Sequence, residues 1–196
     1  MAAADMDLVL VTAPVAEPIT TADAKAHLRV DSTDDDTYID SIIKASRRWI
    51  EHTYGLALVT QTWDGSLDAF PWDGVIQIPK RPLVSVTSIT YYDDDLSTST
   101  VFSSANYQVD TVKRPPRIVL KSGSSWPTDS LRLSSGVVVR FVAGYGAASA
   151  VPEDIEHAIK LLVGQLYAHR EPEITGAVVA KLGFTIDALL ADHRLR

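Results

Sequence analysis

Apolar residues follow two rhythms along this chain, one helical at both ends and one strand-like between them. Over Asp34–Tyr54, Tyr38, Ile39, Ile42, Ile43, Ser46, Trp49, Ile50 and Thr53 recur at three- and four-residue steps. That period gathers them on one broad inward face of a helix. Asp34–Asp36 lie at its positive end with Ser32 or Thr33 as the expected cap, and Lys44, Arg47 and Arg48 lie nearer its negative end. Gly55 is placed to end it. Ahead of it, Thr20 and Asp23 have capping-box spacing and predict a short helix to about Val30, with Ala24 and Leu28 turned inward. Near the other end, Pro152 opens a helix whose stripe is Ile155, Ile159, Leu162, Val163 and Leu166, and Pro172 prevents its continuation. A last short helix is expected near Thr185–Asp192, carrying Ile186, Leu189 and Leu190.

From Leu56 to Tyr145 the texture is strand and turn: short Val-, Ile-, Thr- and Tyr-rich runs between Gly, Pro, Ser and Asp clusters. The expected strands are Thr60–Leu67, Val75–Ile78, Val84–Tyr92, Tyr107–Asp110, Arg117–Leu120 and Val137–Tyr145. Asp93–Asp95 reads as a hairpin tip. Strict alternation puts Val86 and Ile89 on opposite faces, which predicts cover on both sides of that strand. Gly144-Tyr145-Gly146 reads as a strand exit that needs permissive backbone. Residues 1–19, with Pro14 and Pro18, read as an arm outside the core, either free or docked on a neighbouring subunit. The layout is therefore α+β: an arm at 1–19, a helical bundle from 20–55 and 147–196, and a β-rich insertion at 56–146.

Composition narrows the chemistry. The chain has 196 residues, enough for one sizeable domain with an elaboration, and no cysteine, so disulfides, thiolate nucleophiles and most structural zinc sites are absent. A formal net charge of −7 argues against general affinity for nucleic-acid phosphates. The early run Leu8–Val11 is too short to span a bilayer, and acidic residues precede it where a secretion leader would be basic. The expectation is a cytosolic protein where it is made, with no membrane contact.

No catalytic or metal constellation emerges. Asp93-Asp94-Asp95 lacks the central glycine and late glutamate of a calcium loop, and Asp34–Asp36 is explained by helix capping. The five histidines, His27, His52, His157, His169 and His193, show no i, i+4 pair. There is no Gly-x-Ser-x-Gly elbow and no Walker or dinucleotide fingerprint. Trp49, beside Arg47 and Arg48, falls on the apolar helix face and is assigned to core packing rather than to base stacking. No enzyme activity, cofactor or metal is expected.

Several segments, in order from about Pro18 to Arg194, resemble the head–tail connector (adaptor) proteins of long-tailed bacteriophages, prophages and gene transfer agents. They are Pro18-Ile19-Thr20, Ala24–Val30, Asp34-Asp35-Asp36 before Tyr38-Ile39, Thr60-Gln61-Thr62-Trp63 and Pro82–Tyr91. Tyr107–Asp110, Val139–Gly146 and Val151-Pro152 complete the set. The resemblance implies a structural protein of the virion neck, present in the host cytoplasm before assembly. Its helical core would pack side by side into a ring, generally of twelve copies, beneath the portal protein. Such a ring lengthens the DNA ejection channel, passes DNA without specific binding, and offers a platform to the stopper or another neck protein. Ile186, Leu189, Leu190, Arg194 and Arg196 form a greasy, basic tail on an acidic chain and are candidate portal-anchoring residues. The competing assignment for the three apolar ones is the monomer's own core. Rival functions are another neck role (stopper or tail-completion protein), an unrecognised hydrolase, or a host binding module.

Overall fold

Helix signals at both ends and strand signals between them must be satisfied by different kinds of packing, and the chain separates accordingly. The structure, a computed structural model, describes residues 6–94, 98–170 and 186–194. Two compact units result: one holds the described residues up to Pro14 together with Thr60–Gly144, the other Val15–Val59 together with the described residues from Tyr145 onward.

The helical unit is built on α1 (Thr21–Leu28), α2 (Asp36–Thr53) and α3 (Glu153–Ala168). α1 opens with the expected box: the Thr20 hydroxyl accepts from the Asp23 N–H, and the Asp23 carboxylate accepts from the Thr20 N–H. For α2 the expected hydroxyl cap does not form. Asp35 is the N-cap residue and makes no side-chain cap bond, while the Ser32 hydroxyl turns to the Asp34 carboxylate. The other end behaves as the sequence suggests. Gly55 adopts a φ of 63°, and the Leu56 N–H reaches back to the Glu51 carbonyl, the six-to-one bond of a Schellman cap.

Ile39, Ile43 and Ile50 of α2 and Ile155, Ile159 and Val163 of α3 are buried in one cluster with Ala24 of α1 and Ile19. Trp49 departs from this face. It is 44% exposed and meets Tyr54 edge-on, so the core assignment made from its spacing is corrected. The stripe is narrower than the apolar residues suggest, and a large ring at its margin stays in solvent. Leu56, Leu58 and Val59 also fill this helical core, so the β unit starts at Thr60 and not at Leu56.

The β unit contains a five-stranded antiparallel sheet in the order β1 (Asp7–Thr12), β2 (Gln61–Leu67), β8 (Val137–Ala143), β4 (Leu83–Tyr92), β5 (Ser99–Val101). A second, three-stranded sheet has the order β3 (Val75–Gln77), β7 (Arg117–Leu120), β6 (Tyr107–Asp110). Two expectations change here. Residues 7–12 are not a free arm but an edge strand, paired with β2 from Asp7↔Ser66 to Thr12↔Thr62. And β4 is not covered on both faces by reason of its phase. Its pairing with β8 slips between Leu83 and Ser85 and again between Val86 and Ser88. Each slip inserts one extra residue, and an extra residue inverts the in–out alternation that follows. Val86 and Ile89 therefore lie opposite Phe141 and Val139, both fully buried, on the same face.

An aromatic group supports this unit. Phe70 stacks on Trp126 with centroids 4.8 Å apart and meets Phe102 and Tyr91 at wider angles. The expected glycine exit is present: Gly144 and Gly146 take φ values of 138° and 130° after β8 ends. The hairpin tip assigned to Asp93–Asp95 lies partly outside the described residues.

At the start of β8, a Cβ added to Gly136 would stand 2.6 Å from the Asp68 carbonyl oxygen and 3.0 Å from that of Arg132. Both neighbours are backbone and yield little. Gly136→Ala is expected to cost about 1–3 kcal/mol through overpacking. Equilibrium unfolding measures it, and an unchanged midpoint contradicts the packing described.

Candidate functional site

The C-terminal residues assigned to anchoring sit on the helical unit. Residues 186–189 are helical and Ala191–His193 form one 3₁₀ turn. Ile186 and Leu190 are buried in the same cluster as α2 and α3, and Leu189 packs partly buried against it. Two of the three apolar anchors are thus occupied by the chain's own core, the alternative the sequence left open. Arg194 is exposed, and Arg196 lies outside the described residues.

Polar contacts hold this segment at two points. The Tyr54 hydroxyl donates to Asp187 Oδ1 at 2.6 Å, and Arg194 pairs with the same carboxylate at 2.5 Å while its guanidinium lies 6.0 Å from the Tyr54 ring centre. His193 bridges the Tyr145 hydroxyl at 3.1 Å and the Asp154 carboxylate at 2.9 Å. The hydrogen bond from Tyr54, then Arg194, holds Asp187 below the usual carboxylate range. Burial first, and the Asp187 carboxylate second, push the Tyr54 phenol up to about 12.

Sequence reasoning missed a buried ion pair. Arg47, assigned only to helix polarity, is 6% exposed, and Glu51 is 5% exposed. Arg47 Nη1 donates to Glu51 Oε2 at 2.6 Å and its Nε to Glu17 Oε2 at 2.6 Å. The second Glu51 oxygen accepts from the Leu58 N–H at 2.9 Å. Burial works against the Arg47 charge, but the bonds and charges of Glu17 and Glu51 outweigh it and hold the guanidinium above its ordinary value. A signal was present: Glu51 follows Arg47 by four residues on the stripe that also carries Ile43 and Ile50.

A third polar cluster joins the start of α2 to the end of α3. Asp35 accepts from the Tyr167 hydroxyl at 2.6 Å and from Arg170 at 2.8 Å, and Arg170 lies over the Tyr38 ring at 4.6 Å. All three arrangements are structural in kind: every charge meets a fixed partner in the same unit. Among the described residues, no group of three or more His, Asp or Glu side chains is placed to hold a metal. The cleft beside α1 is lined by Thr21, Lys25, Arg29 and Asp36, and its lysine is tied to Asp36 at 2.7 Å. No described helix is long and apolar enough to cross a membrane.

Two outcomes follow. Leu190→Ala removes a fully buried side chain and is expected to destabilise the isolated protein by about 2–5 kcal/mol in denaturant unfolding; a residue serving only an external partner leaves stability unchanged. The raised Tyr54 value means its contribution is full below the unfolded phenol's pKa near 10 and is lost as pH rises through about 12. The depressed Asp187 value means its contribution is present above the ordinary carboxylate range and is lost as pH falls through the lowered value. Burial of Tyr107 and the Asp35 bond to Tyr167 raise those phenols as well, so a phenolate absorbance titration is expected to show several late tyrosines, with Tyr54→Phe removing the component near 12.

Residues 18–112 match the family model described as phage gp6-like head-tail connector protein. Solved structures extend the likeness over almost the whole chain. A chain from the neck of an empty gene transfer agent particle, with C6 symmetry, has TM-score 0.82 and 27% identity. A chain from the virion of a native gene transfer agent particle has TM-score 0.78 and 24% identity, and one from a native neck with C12 symmetry has 0.74 and 25%. In each case 97% of this chain and 96% of the other are covered. No curated protein sequence matches. The family match begins at Pro18, just ahead of the Thr20–Asp23 capping box, and runs through the strands up to β6. The chain is thus similar over residues 18–112 to the phage gp6-like head-tail connector proteins, and over nearly its whole length to neck chains of gene transfer agent particles.

Proposed function

We propose that this protein is the adaptor of a phage-like or gene transfer particle, a structural component of the neck. Copies close into a ring, of twelve where the portal has twelve, seated under the portal protein. The ring extends the DNA channel and presents its far side to the stopper or the next tail component. The observation that carries this reading is the likeness to a gene transfer agent neck chain over 97% of the length at a TM-score of 0.82. The physical character supports it: a formal charge of −7 disfavours adhesion to the DNA that would pass through. The described polar clusters are saturated by internal partners, as suits a scaffold rather than a catalyst.

The anchoring part of the reading takes a narrower form. Ile186 and Leu190 are already buried, so contact with the portal through this segment falls to Leu189 and Arg194, with Arg196 beyond the described residues. Arg194→Ala is the informative substitution, because its pairing with Asp187 is solvent-exposed and such pairs add at most about 1 kcal/mol to a fold.

Removing the gene from a producing strain tests the function. Filled heads and separate tails are expected to accumulate without joined particles, and restoring the gene is expected to rejoin them. Normal joined particles in its absence overturn the reading.

A further inference from the structure

The five-stranded sheet ends in two open edges, β1 on one side and β5 on the other. Along β1, Val9, Leu10 and Val11 are 60%, 42% and 45% exposed. Successive strand residues point to opposite faces, so neither face of β1 is covered there. The backbone of residues 7–12 makes no described hydrogen bond except those to β2, and that of β5 none except those to β4. Soluble proteins usually guard such an edge with charge, proline or a covering segment, because it templates pairing with another chain. Leu8–Val11 carries none of these guards.

The two edges suit each other. The register slip between Leu10 and Thr12 interrupts β1, leaving Asp7–Leu10 as its regular stretch, and β5 is the short strand Ser99–Val101. The lengths agree. Neither β5 nor Leu8–Leu10 carries a charge, and exposed Val101 offers an apolar partner to the exposed valines of β1. Direction agrees too. Every neighbouring pair in the sheet is antiparallel, so β1 and β5, four steps apart, run the same way. A copy rotated about an axis along the strands brings its β1 alongside β5 in parallel. That contact joins two different surfaces head to tail, the interface type a closed ring requires, whereas β1 against β1 makes a twofold pair that ends growth.

The geometry points to a second copy of this chain as the occupant: β1 of one subunit pairs edge to edge with β5 of the next. The inference rests on the ring proposed above and names one of its seams. The chain lacks cysteine, so engineered thiols report cleanly. In rings assembled on the portal protein, Val9→Cys combined with Thr100→Cys, and the neighbouring pair Leu10→Cys with Val101→Cys, is expected to oxidise to a ladder of linked subunits. Either single variant is expected to give none. Intact rings with no linkage in either pair overturn the edge pairing and leave the connector reading standing. A Val9→Cys single variant that forms dimers overturns the head-to-tail arrangement. If wild-type chains form no ring on the portal and the paired thiols also stay unlinked in concentrated free protein, both readings fail.

Discussion

The helical unit depends on a buried cation and the two carboxylates that meet it. Arg47 on α2 is bonded to Glu51 on the same helix and to Glu17 on the segment leading into α1. Glu51 in turn accepts the Leu58 N–H on the segment leaving α2. Losing one partner of such a buried pair typically costs roughly 3–5 kcal/mol, because the remaining charge stays out of water. One guanidinium thus ties down the chain just after it enters the helical unit and just before it departs for Thr60. The stretch 56–59 can then place Leu56, Leu58 and Val59 in the helical core.

Around that constraint the unit is closed by contacts from sequence-distant segments. α3 returns to α2 through its isoleucines and through the Asp35–Tyr167–Arg170 cluster, and residues 186–194 return through Tyr54, Asp154 and Tyr145. A subunit whose residues 186–194 are secured in its own helical core does not rely on a neighbour to order them. The β unit differs in kind: it keeps apolar residues and backbone groups open at β1. Closure in one unit and an unguarded edge in the other fit a subunit that repeats around an axis.

Much of this was legible in the sequence where periodicity was strong. α2 and α3 follow from their stripes, Thr20–Asp23 from capping chemistry, and β6 and β7 from short β-branched runs between turn residues. The failures have physical causes. β1 was read as an arm because an unbroken apolar run beside prolines has no alternation, and its exposure breaks the rule that such runs are buried. β5 was missed because Ser99–Val101 is three residues long and entirely exposed. Val86 and Ile89 fell on the wrong faces because a bulge leaves no composition signal but shifts the phase. At the C-terminal segment, periodicity identified Ile186 and Leu190 as apolar anchors but not what they anchor to. A core and an interface make the same demand on a side chain.

The most direct measurement is co-sedimentation of the purified protein with the portal ring encoded alongside it, followed by electron microscopy of the joint peak. The account predicts an added ring under the portal, with one subunit of this protein for each portal subunit. Two folded proteins that sediment separately, with no added density on the portal, would contradict it.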